Sequence, residues 1–458
     1  MDKHLNPRNW STSVIITLSF ISLALVGSIA LSMPFATHPY TQTIFFEHFI
    51  TAVSLVCVSG IASLPIGETY TIFGQIIALI LIQIGGLGVI TIINTGLFYL
   101  NQQLSLKNQY LIQASLNRNT NSNLFDFLKS IYILTAIVEL TGSIIIMTYF
   151  IPQYGWLKGS FNSIFLAVAA FTNSGFDNIG SASIQTFNQN PVITITVALL
   201  VIMGGLGFSV WFEILNRLEI FIKQRPRHFK LAFHNISTHT RLVLTMTLFL
   251  LIGGTLLIWM VEHNNPNTLA NKPFPQQILE SFFKSASTRS AGYTTFSYKG
   301  SQPFTKFIYM LLATIGGAPG GTAGGLKVTT VAILYLLFRA ELMSYSKVIY
   351  NKRVVPDNLV KQAVMITIFF IFITLFGYGA LLLTHPHLNS IGLLFETISA
   401  MGTLGVSLDV TEHLNYFGKM IILFLTLAGR VGPITVLLAI LQKKNTEIHY
   451  SEANILIG

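Results

Sequence analysis

Four short polar stretches, each containing a glycine, recur along the chain and have the composition of an ion-binding backbone. Their glycines, Gly60, Gly175, Gly292 and Gly405, lie 113 to 117 residues apart. Glycine reaches backbone angles that let carbonyl groups aim at a common centre, and its missing side chain leaves room there. A ring of carbonyls from four segments can replace the water shell of a dehydrated cation. The spacing therefore predicts four copies of one unit that together coordinate a monovalent cation.

The candidate ion-coordinating residues are each glycine and the two residues that precede it. They are Val58, Ser59, Gly60, Asn173, Ser174, Gly175, Ser290, Ala291, Gly292, Thr403, Leu404 and Gly405. One such glycine, taken alone, is more often a helix cap in a re-entrant turn without a role in conduction. Four at near-constant spacing favour a selectivity filter whose carbonyls bind a monovalent cation.

Composition identifies the surroundings in which these stretches must lie. Only 10% of the 458 residues are charged, 52% are apolar, and the mean hydropathy is +0.63. Ordinary globular proteins have about 25% charged residues, so these charges are too few to cover a soluble body. The net charge of +10 does not indicate nucleic-acid binding, because the cations lie between apolar runs. The chain is predicted to be a polytopic membrane protein.

Eight apolar runs have the length of about 20 residues that a membrane-spanning helix needs. They lie near 12–33, 71–100, 130–151, 191–215, 242–262, 304–338, 362–384 and 416–441. A shorter semi-polar stretch, typical of a re-entrant half-helix, lies within each successive pair, near 44–57, 160–172, 276–287 and 391–401. We predict an all-α fold in which four tandem helix–pore-helix–helix repeats form a pseudo-four-fold ring around one pore. The repeats are 1–105, 106–228, 229–347 and 348–458.

The distribution of Lys and Arg predicts the orientation in the membrane. Most of the 27 cations precede the pairs of spans or follow the last span, as in the basic segments 217–241 and 339–361. Cytoplasmic loops carry such an excess, so both termini are predicted to be cytoplasmic. Carboxylates at Glu68, Asp177, Asp409 and Glu412 follow the half-helices on the other side. There they would raise the local cation concentration at an outer mouth.

Longer motifs accompany the glycine stretches and indicate a family. They are Thr71–Gln75, Ile82–Gly88, Gly204–Phe208, Phe395–Thr397 and Gly429–Pro433. With the four stretches, they resemble the membrane subunit of the Trk/Ktr/HKT superfamily of potassium transporters, from about residue 12 to the C-terminus. The Trk branch usually has an additional pair of spans before the first repeat, so the early first span favours the KtrB type.

The resemblance implies a function and partners. The expected function is potassium uptake across the plasma membrane through a gated, channel-like pathway, with potassium bound at the filter carbonyls. The family forms homodimers in which each subunit has its own pore, and it works with a cytosolic ring of RCK-type regulatory subunits. Nucleotide is expected on that separate ring, no cofactor on this chain, and sodium is a candidate activator. Membrane lipid is the other expected contact, and no nucleic acid is expected.

A glycine-rich segment interrupts the second span of the third repeat. Six glycines and a proline between Gly316 and Gly325 cannot sustain an ordinary helix interior. The resemblance implies an intramembrane gate beneath the filter, and a static packing kink is the alternative. The candidate gate residues are Gly316, Gly317, Pro319, Gly320, Gly321, Gly324, Gly325 and Lys327.

Arg430 lies inside an apolar run, where a charge costs about 2.5–3.5 kcal/mol and requires a partner. Glu396, in the preceding half-helix, is the candidate. The pair is interpreted either as a barrier or brace beneath the filter, or as a structural ion pair. Glu139 also lies in a span and is interpreted as a polar residue between helices rather than a proton carrier.

Three functional alternatives stay open from the sequence. The first is a potassium symporter driven by sodium or protons, which few intramembrane acids support. The second is a weakly selective sodium/potassium pathway. In HKT-type relatives, a serine at the first filter glycine accompanies sodium permeation, so glycine at all four positions favours potassium. The third is a membrane enzyme, for which no His-Glu-x-x-His motif or serine/histidine arrangement is present.

Overall fold

α-Helices make up almost all of the regular structure in the described part of the chain. The computed structural model describes residues 12–61, 63–89, 124–180, 183–188, 190–223 and 236–432. Four helices are each long and apolar enough to cross a membrane: α1 (Thr12–Leu31), α5 (Leu124–Tyr154), α9 (Thr238–Glu262) and α13 (Asp357–Thr384). Large apolar side chains on their outer faces, such as Phe249 and Phe372, are exposed, as expected of helices that contact lipid.

Four shorter helices lie at the predicted half-helix positions. They are α2 (Phe45–Cys57), α6 (Trp156–Phe171), α10 (Phe274–Ser287) and α14 (Ser390–Met401). Their C-terminal halves are almost fully buried. With 12 to 16 residues each, they are too short to cross ~30 Å of hydrocarbon at 1.5 Å per residue. Each leads directly into one of the four glycine stretches.

A second helix, in two cases broken, follows each short one. The first and last are α4 (Ile72–Leu87) and α15 (Tyr416–Val431), with a one-turn helix α3 (Ile66–Thr69) before α4. The other two are α7 (Pro191–Gly205) with α8 (Phe208–Lys223), and α11 (Pro303–Thr314) with α12 (Val328–Leu342). A hairpin of β1 (Ile349–Tyr350) and β2 (Arg353–Val354) connects α12 to α13.

The expectation of one continuous span over 191–215 was wrong, because α7 and α8 are bent by 98°. The break falls at Gly207, whose φ of +86° ends the right-handed helix. Gly88 and Gly432, with φ of +91° and +98°, end α4 and α15 in the same way. The remainders of these two predicted runs, 90–100 and 433–441, lie outside the described residues.

Glycines bring the second helices against the ends of the short ones. A Cβ at Gly85 would lie 2.1 Å from the Val56 carbonyl oxygen, and one at Gly204 would lie 1.8 Å from that of Phe171. Likewise, a Cβ at Gly429 would lie 2.1 Å from the Met401 carbonyl oxygen. No side chain fits at these contacts, so these positions require glycine.

Packing between successive units follows one rule. Helix α4 contacts α6, α7 contacts α10, α11 contacts α14, and α15 contacts α2. Each second helix thus packs on the short helix that comes next in the chain, and the last packs on the first. The arrangement brings the four glycine stretches to a common place.

Candidate ion-binding site

The four glycine stretches adopt the same backbone conformation. In each, the glycine and the residue two positions before it have positive φ. The preceding residues are Val58, Asn173, Ser290 and Thr403, with φ of 55°, 60°, 87° and 50°. The glycines Gly60, Gly175, Gly292 and Gly405 have φ of 72°, 71°, 79° and 75°. Positive φ is rare for β-branched residues, so Val58 and Thr403 hold a strained geometry that the surrounding packing maintains.

The turns contact one another in a closed order. The Cα of each glycine faces the carbonyl oxygen of the residue just before the next glycine. A Cβ on the four glycines in chain order would lie 2.9 Å from Ser174 O, 2.7 Å from Ala291 O, 2.2 Å from Leu404 O and 1.9 Å from Ser59 O. The fourth contact returns to the first turn. The structure thus brings all twelve predicted coordinating residues into one set of turns.

Side chains behind the turns hold them in place. Ser54 Oγ and Ser59 Oγ are 2.8 Å apart, and Ser174 Oγ donates to Ala169 O at 3.1 Å. Ser290 Oγ and Thr403 Oγ1 lie 2.9 Å apart and connect the third turn to the fourth. All of these groups are buried, where an unpaired hydroxyl would be costly. The side chains therefore fix the backbone rather than point into a cavity.

A cavity of about 530 Å³ opens on one side of the turns. Three of the glycines line it, together with the carboxyl-bearing residues Glu47, Asp177 and Glu412. Asp177 and Glu412 were predicted for an outer mouth, whereas Glu47 was missed. Of the other two predicted acids, Asp409 forms a 2.7 Å ion pair with the exposed Lys299, and this pairing raises the pKa of the lysine. Neither Asp409 nor Glu68 lines the cavity.

The glycine-rich segment lies on the other side of the turns as a loop between α11 and α12. All the candidate gate residues lie in it, and Lys327 ends it as the cap of α12. The amides of Ala318 and Thr322 donate to the carbonyls of Gly205 and Gly204, at 2.8 and 3.1 Å. These bonds attach the loop to the break between α7 and α8.

Two of the four glycine turns also bind the loop directly. Asn173 Nδ2 donates to Thr322 Oγ1 at 2.7 Å, and the amide of Gly324 donates to Ser290 Oγ at 2.9 Å. Lys327 Nζ donates to the Ala323 carbonyl at 2.6 Å. The loop and the turns therefore share hydrogen bonds.

Arg430 does not pair with Glu396. Its guanidinium donates to the carbonyls of Thr322 and Gly85, the latter at 2.5 Å, and to Gly86 O at 3.2 Å. Carbonyls near a helix C-terminus carry partial negative charge, and glycine lets the guanidinium approach them. Glu396 instead accepts from the Thr411 hydroxyl, next to the cavity. The predicted ion pair between Arg430 and Glu396 was wrong, because the two side chains lie on opposite sides of the turns.

Two further charged groups complete the comparison with the sequence. Glu139 is buried between helices and accepts from Gln83 Nε2 at 3.2 Å, as its interpretation as an interhelical polar residue requires. Lys284, on α10, is fully buried yet was missed. Its signal was a lysine four residues after Glu280 inside a half-helix, a pair that is out of place in a mostly apolar segment.

The long apolar helices, the short buried ones and the glycine turns between them define a polytopic membrane protein. The family model described as a cation transport protein, TrkH, matches residues 2–448, so the chain belongs to the TrkH family of cation transport proteins. The predicted resemblance is confirmed. Because this is a family of transporters, the alternative of a membrane enzyme is set aside.

Curated relatives match over nearly the whole chain. Ktr system potassium uptake protein B of Bacillus subtilis is 29% identical over 100% of this chain and 99% of the relative. The Vibrio alginolyticus protein of the same name is 32% identical over 97% and 94%. The potassium/sodium uptake protein NtpJ of Enterococcus hirae is 32% identical over 97% and 96%. The solved potassium transporter TrkH of Vibrio parahaemolyticus has the same fold, with a TM-score of 0.74 at 16% identity over 96% and 86% of the two chains.

Proposed function

We propose that the chain takes up potassium across the plasma membrane through a channel-like pathway at the centre of the four glycine turns. The observation that carries the proposal is the closed order of contacts from each glycine to the carbonyl before the next. A closed set of four backbone turns can surround an ion with oxygens on all sides. The identity of the ion as potassium is taken from the relatives that are named potassium uptake proteins.

In this proposal the chain is a pseudo-four-fold ring of tandem repeats, 1–105, 106–228, 229–347 and 348–458. The packing of each second helix on the next short helix supports it. The short helices end at the turns, and the partial negative charge of their C-terminal ends stabilises a cation between them. The cavity with Glu47, Asp177 and Glu412 is the mouth through which potassium enters.

The loop 316–325 is, in the same proposal, a gate that closes the pathway below the filter. It borders two filter turns through Asn173 and Ser290, so it lies where an ion leaving the turns would pass. It is held by hydrogen bonds to separate helices rather than by its own helical ladder, and such bonds can break without unfolding a helix. Arg430 is the brace that keeps the loop in this position. A static kink is the competing interpretation.

The assembly around this pathway is also proposed. Two chains form a homodimer, each with its own pore, and a separate cytosolic RCK-type ring regulates them by binding nucleotide. Both termini face the cytoplasm. The ring docks on the basic segments 217–241 and 339–361, where Lys347, Lys352 and Arg353 are exposed around the β-hairpin. Relatives named as parts of a Ktr system support a multi-component arrangement.

A weakly selective sodium/potassium pathway is the second candidate, because one relative is named a potassium/sodium uptake protein. Reversal potentials of the purified chain in a planar bilayer, recorded over a set of potassium and sodium gradients, separate the candidates. A channel-like potassium pathway gives potentials that follow the potassium gradient alone. Potentials that follow both gradients equally favour the second candidate, and a fixed stoichiometric coupling contradicts the channel-like pathway. Repeating the series with sodium on one side only tests sodium as an activator.

A further inference from the structure

Lys284 is a fully buried cation in the wall of the third filter turn. It lies eight residues before Gly292, and the residues at the same distance before the other three glycines are Ala52, Ala167 and Thr397. Only the third unit therefore has a basic residue at this position. An ammonium removed from water is strongly unfavourable unless other groups replace its hydration shell.

The groups that replace water all follow the third glycine in sequence. Lys284 Nζ donates to Thr294 Oγ1 at 2.5 Å and to the Phe296 carbonyl at 2.7 Å. The same nitrogen lies 3.2 Å from the centroid of the Tyr298 ring, a cation–π contact. The lysine thereby fastens helix α10 to the segment 294–298.

No carboxylate forms an ion pair with Lys284 in the described part of the chain. Glu280, one turn earlier, is occupied by Lys272 Nζ at 2.7 Å and by Gln276 Nε2 at 3.0 Å. The direct contacts of the Lys284 ammonium are consequently with the oxygens and the ring of the segment after the turn. Charged hydrogen bonds are shorter and about twice as strong as neutral ones. They attach that segment to α10 together with the 3.3 Å contact between Thr288 Oγ1 and Tyr298 Oη.

Thr294 is the link to ion passage, because it lines the mouth cavity beside Gly292. The Thr294 hydroxyl accepts a hydrogen bond from Lys284 and donates one to the Phe296 carbonyl. These two bonds hold the Thr294 side chain from the side opposite the cavity. We propose that Lys284 is a positioning residue for ion selection, which holds Thr294 and through it the third filter turn. This inference deepens the proposed function and rests on it.

The experiment compares potassium with sodium flux into proteoliposomes that contain the purified full-length chain. Thr294→Val removes only the hydroxyl and Thr294→Ser keeps it. Loss of a hydrogen bond to a charged group corresponds to about a tenfold change in an equilibrium. We therefore expect the potassium-over-sodium ratio to fall about tenfold in Thr294→Val and to return in Thr294→Ser. Lys284→Met is expected to show the same fall in the potassium-over-sodium ratio. If Lys284→Met does not fold, the ratio measured for Thr294→Val decides whether the proposal holds.

Lys299→Met is the matched control. It removes a cation one residue after the segment 294–298, but Lys299 is exposed and pairs with Asp409 rather than with the turn. The expected ratio for this variant is that of the wild type. A wild-type ratio in Thr294→Val, at a melting temperature equal to that of the parent, overturns the positioning role while the proposed function stands. Equal potassium and sodium flux through the parent chain itself would instead contradict the proposed potassium pathway.

Discussion

The unequal tightness of the four glycine contacts predicts a graded effect of adding one methyl group. A Cβ at Gly405 would lie 1.9 Å from Ser59 O and 2.6 Å from the carbonyl carbon of Gly60, whereas one at Gly60 would lie 2.9 Å from Ser174 O. Cβ contacts below 3.0 Å are essentially never observed, so the Ser59 carbonyl must move by about 1 Å in Gly405→Ala. In Gly60→Ala, the corresponding movement is near zero.

The two substitutions are matched in every other respect that matters. Gly405 and Gly60 have φ of +75° and +72°, so alanine pays the same left-handed strain of roughly 1–2 kcal/mol at both. The difference between the variants therefore reports the displacement of a carbonyl in the glycine turns. We expect the potassium-over-sodium ratio to fall about tenfold more in Gly405→Ala than in Gly60→Ala, or ~1.4 kcal/mol. The decreases in the ratio for Gly175→Ala and Gly292→Ala should lie between these two. The decrease should be smaller for Gly175→Ala, because its contact is 2.7 Å and that of Gly292→Ala is 2.2 Å.

The assay is flux of each cation into proteoliposomes, with melting temperature as a check on folding. All four variants share the cost of the left-handed backbone, and the loss of stability is expected to increase with the tightness of the contact, so flux is compared at a temperature where every variant is folded. If the selectivity ratio changes equally in all four, or most in Gly60→Ala, the reasoning from carbonyl displacement fails. The filter would then tolerate movement at one turn as readily as at another.

Three other perturbations test separate parts of the structure. Arg430→Gln keeps a donor but removes the charge that binds the loop, so potassium flux without a regulatory partner should rise severalfold; flux at the parent level would favour a static kink. Gly204→Ala places a methyl group 1.8 Å from the Phe171 oxygen and should cost about 1–3 kcal/mol of stability by thermal melting. In contrast, Gly253→Ala in α9 meets nothing within 4 Å and should be neutral or slightly stabilising, and equal melting of the two variants would contradict the packing argument. Cys57, the one cysteine, is 1% exposed, so a thiol reagent should label it slowly in the native protein and fully after denaturation; rapid native labelling would contradict its burial.

The sequence predicted the elements that carry a repeated signal. The semi-polar stretch expected near 44–57 is the helix Phe45–Cys57, and the one near 391–401 is Ser390–Met401. Both end where the polar glycine stretch begins, a boundary that composition marks clearly. The interruption of the third repeat was visible for the same reason, since its glycines and proline cannot form a helix interior.

Features that depend on three-dimensional partners could not be predicted in this way. The break at Gly207 lies inside a run whose hydropathy is uninterrupted, and a glycine that packs closely looks the same in sequence as one that turns the chain. The partner of Arg430 was sought among acidic side chains, whereas it is a set of backbone carbonyls, which every residue has. Lys284 was missed because its hydroxyl and aromatic partners carry no charge to mark them.

The distance in sequence across the Arg430 contacts has a consequence for how the protein is made. The guanidinium joins Gly85 and Thr322, which precede it by 345 and 108 residues. A ribosome delivers the chain from its N-terminus, so the loop is synthesised well before the arginine that braces it. Until α15 is inserted, the loop has only its hydrogen bonds with earlier parts of the chain, such as those to Gly204 and Gly205. A chain truncated before α15 would therefore lack the guanidinium that joins the loop to α4.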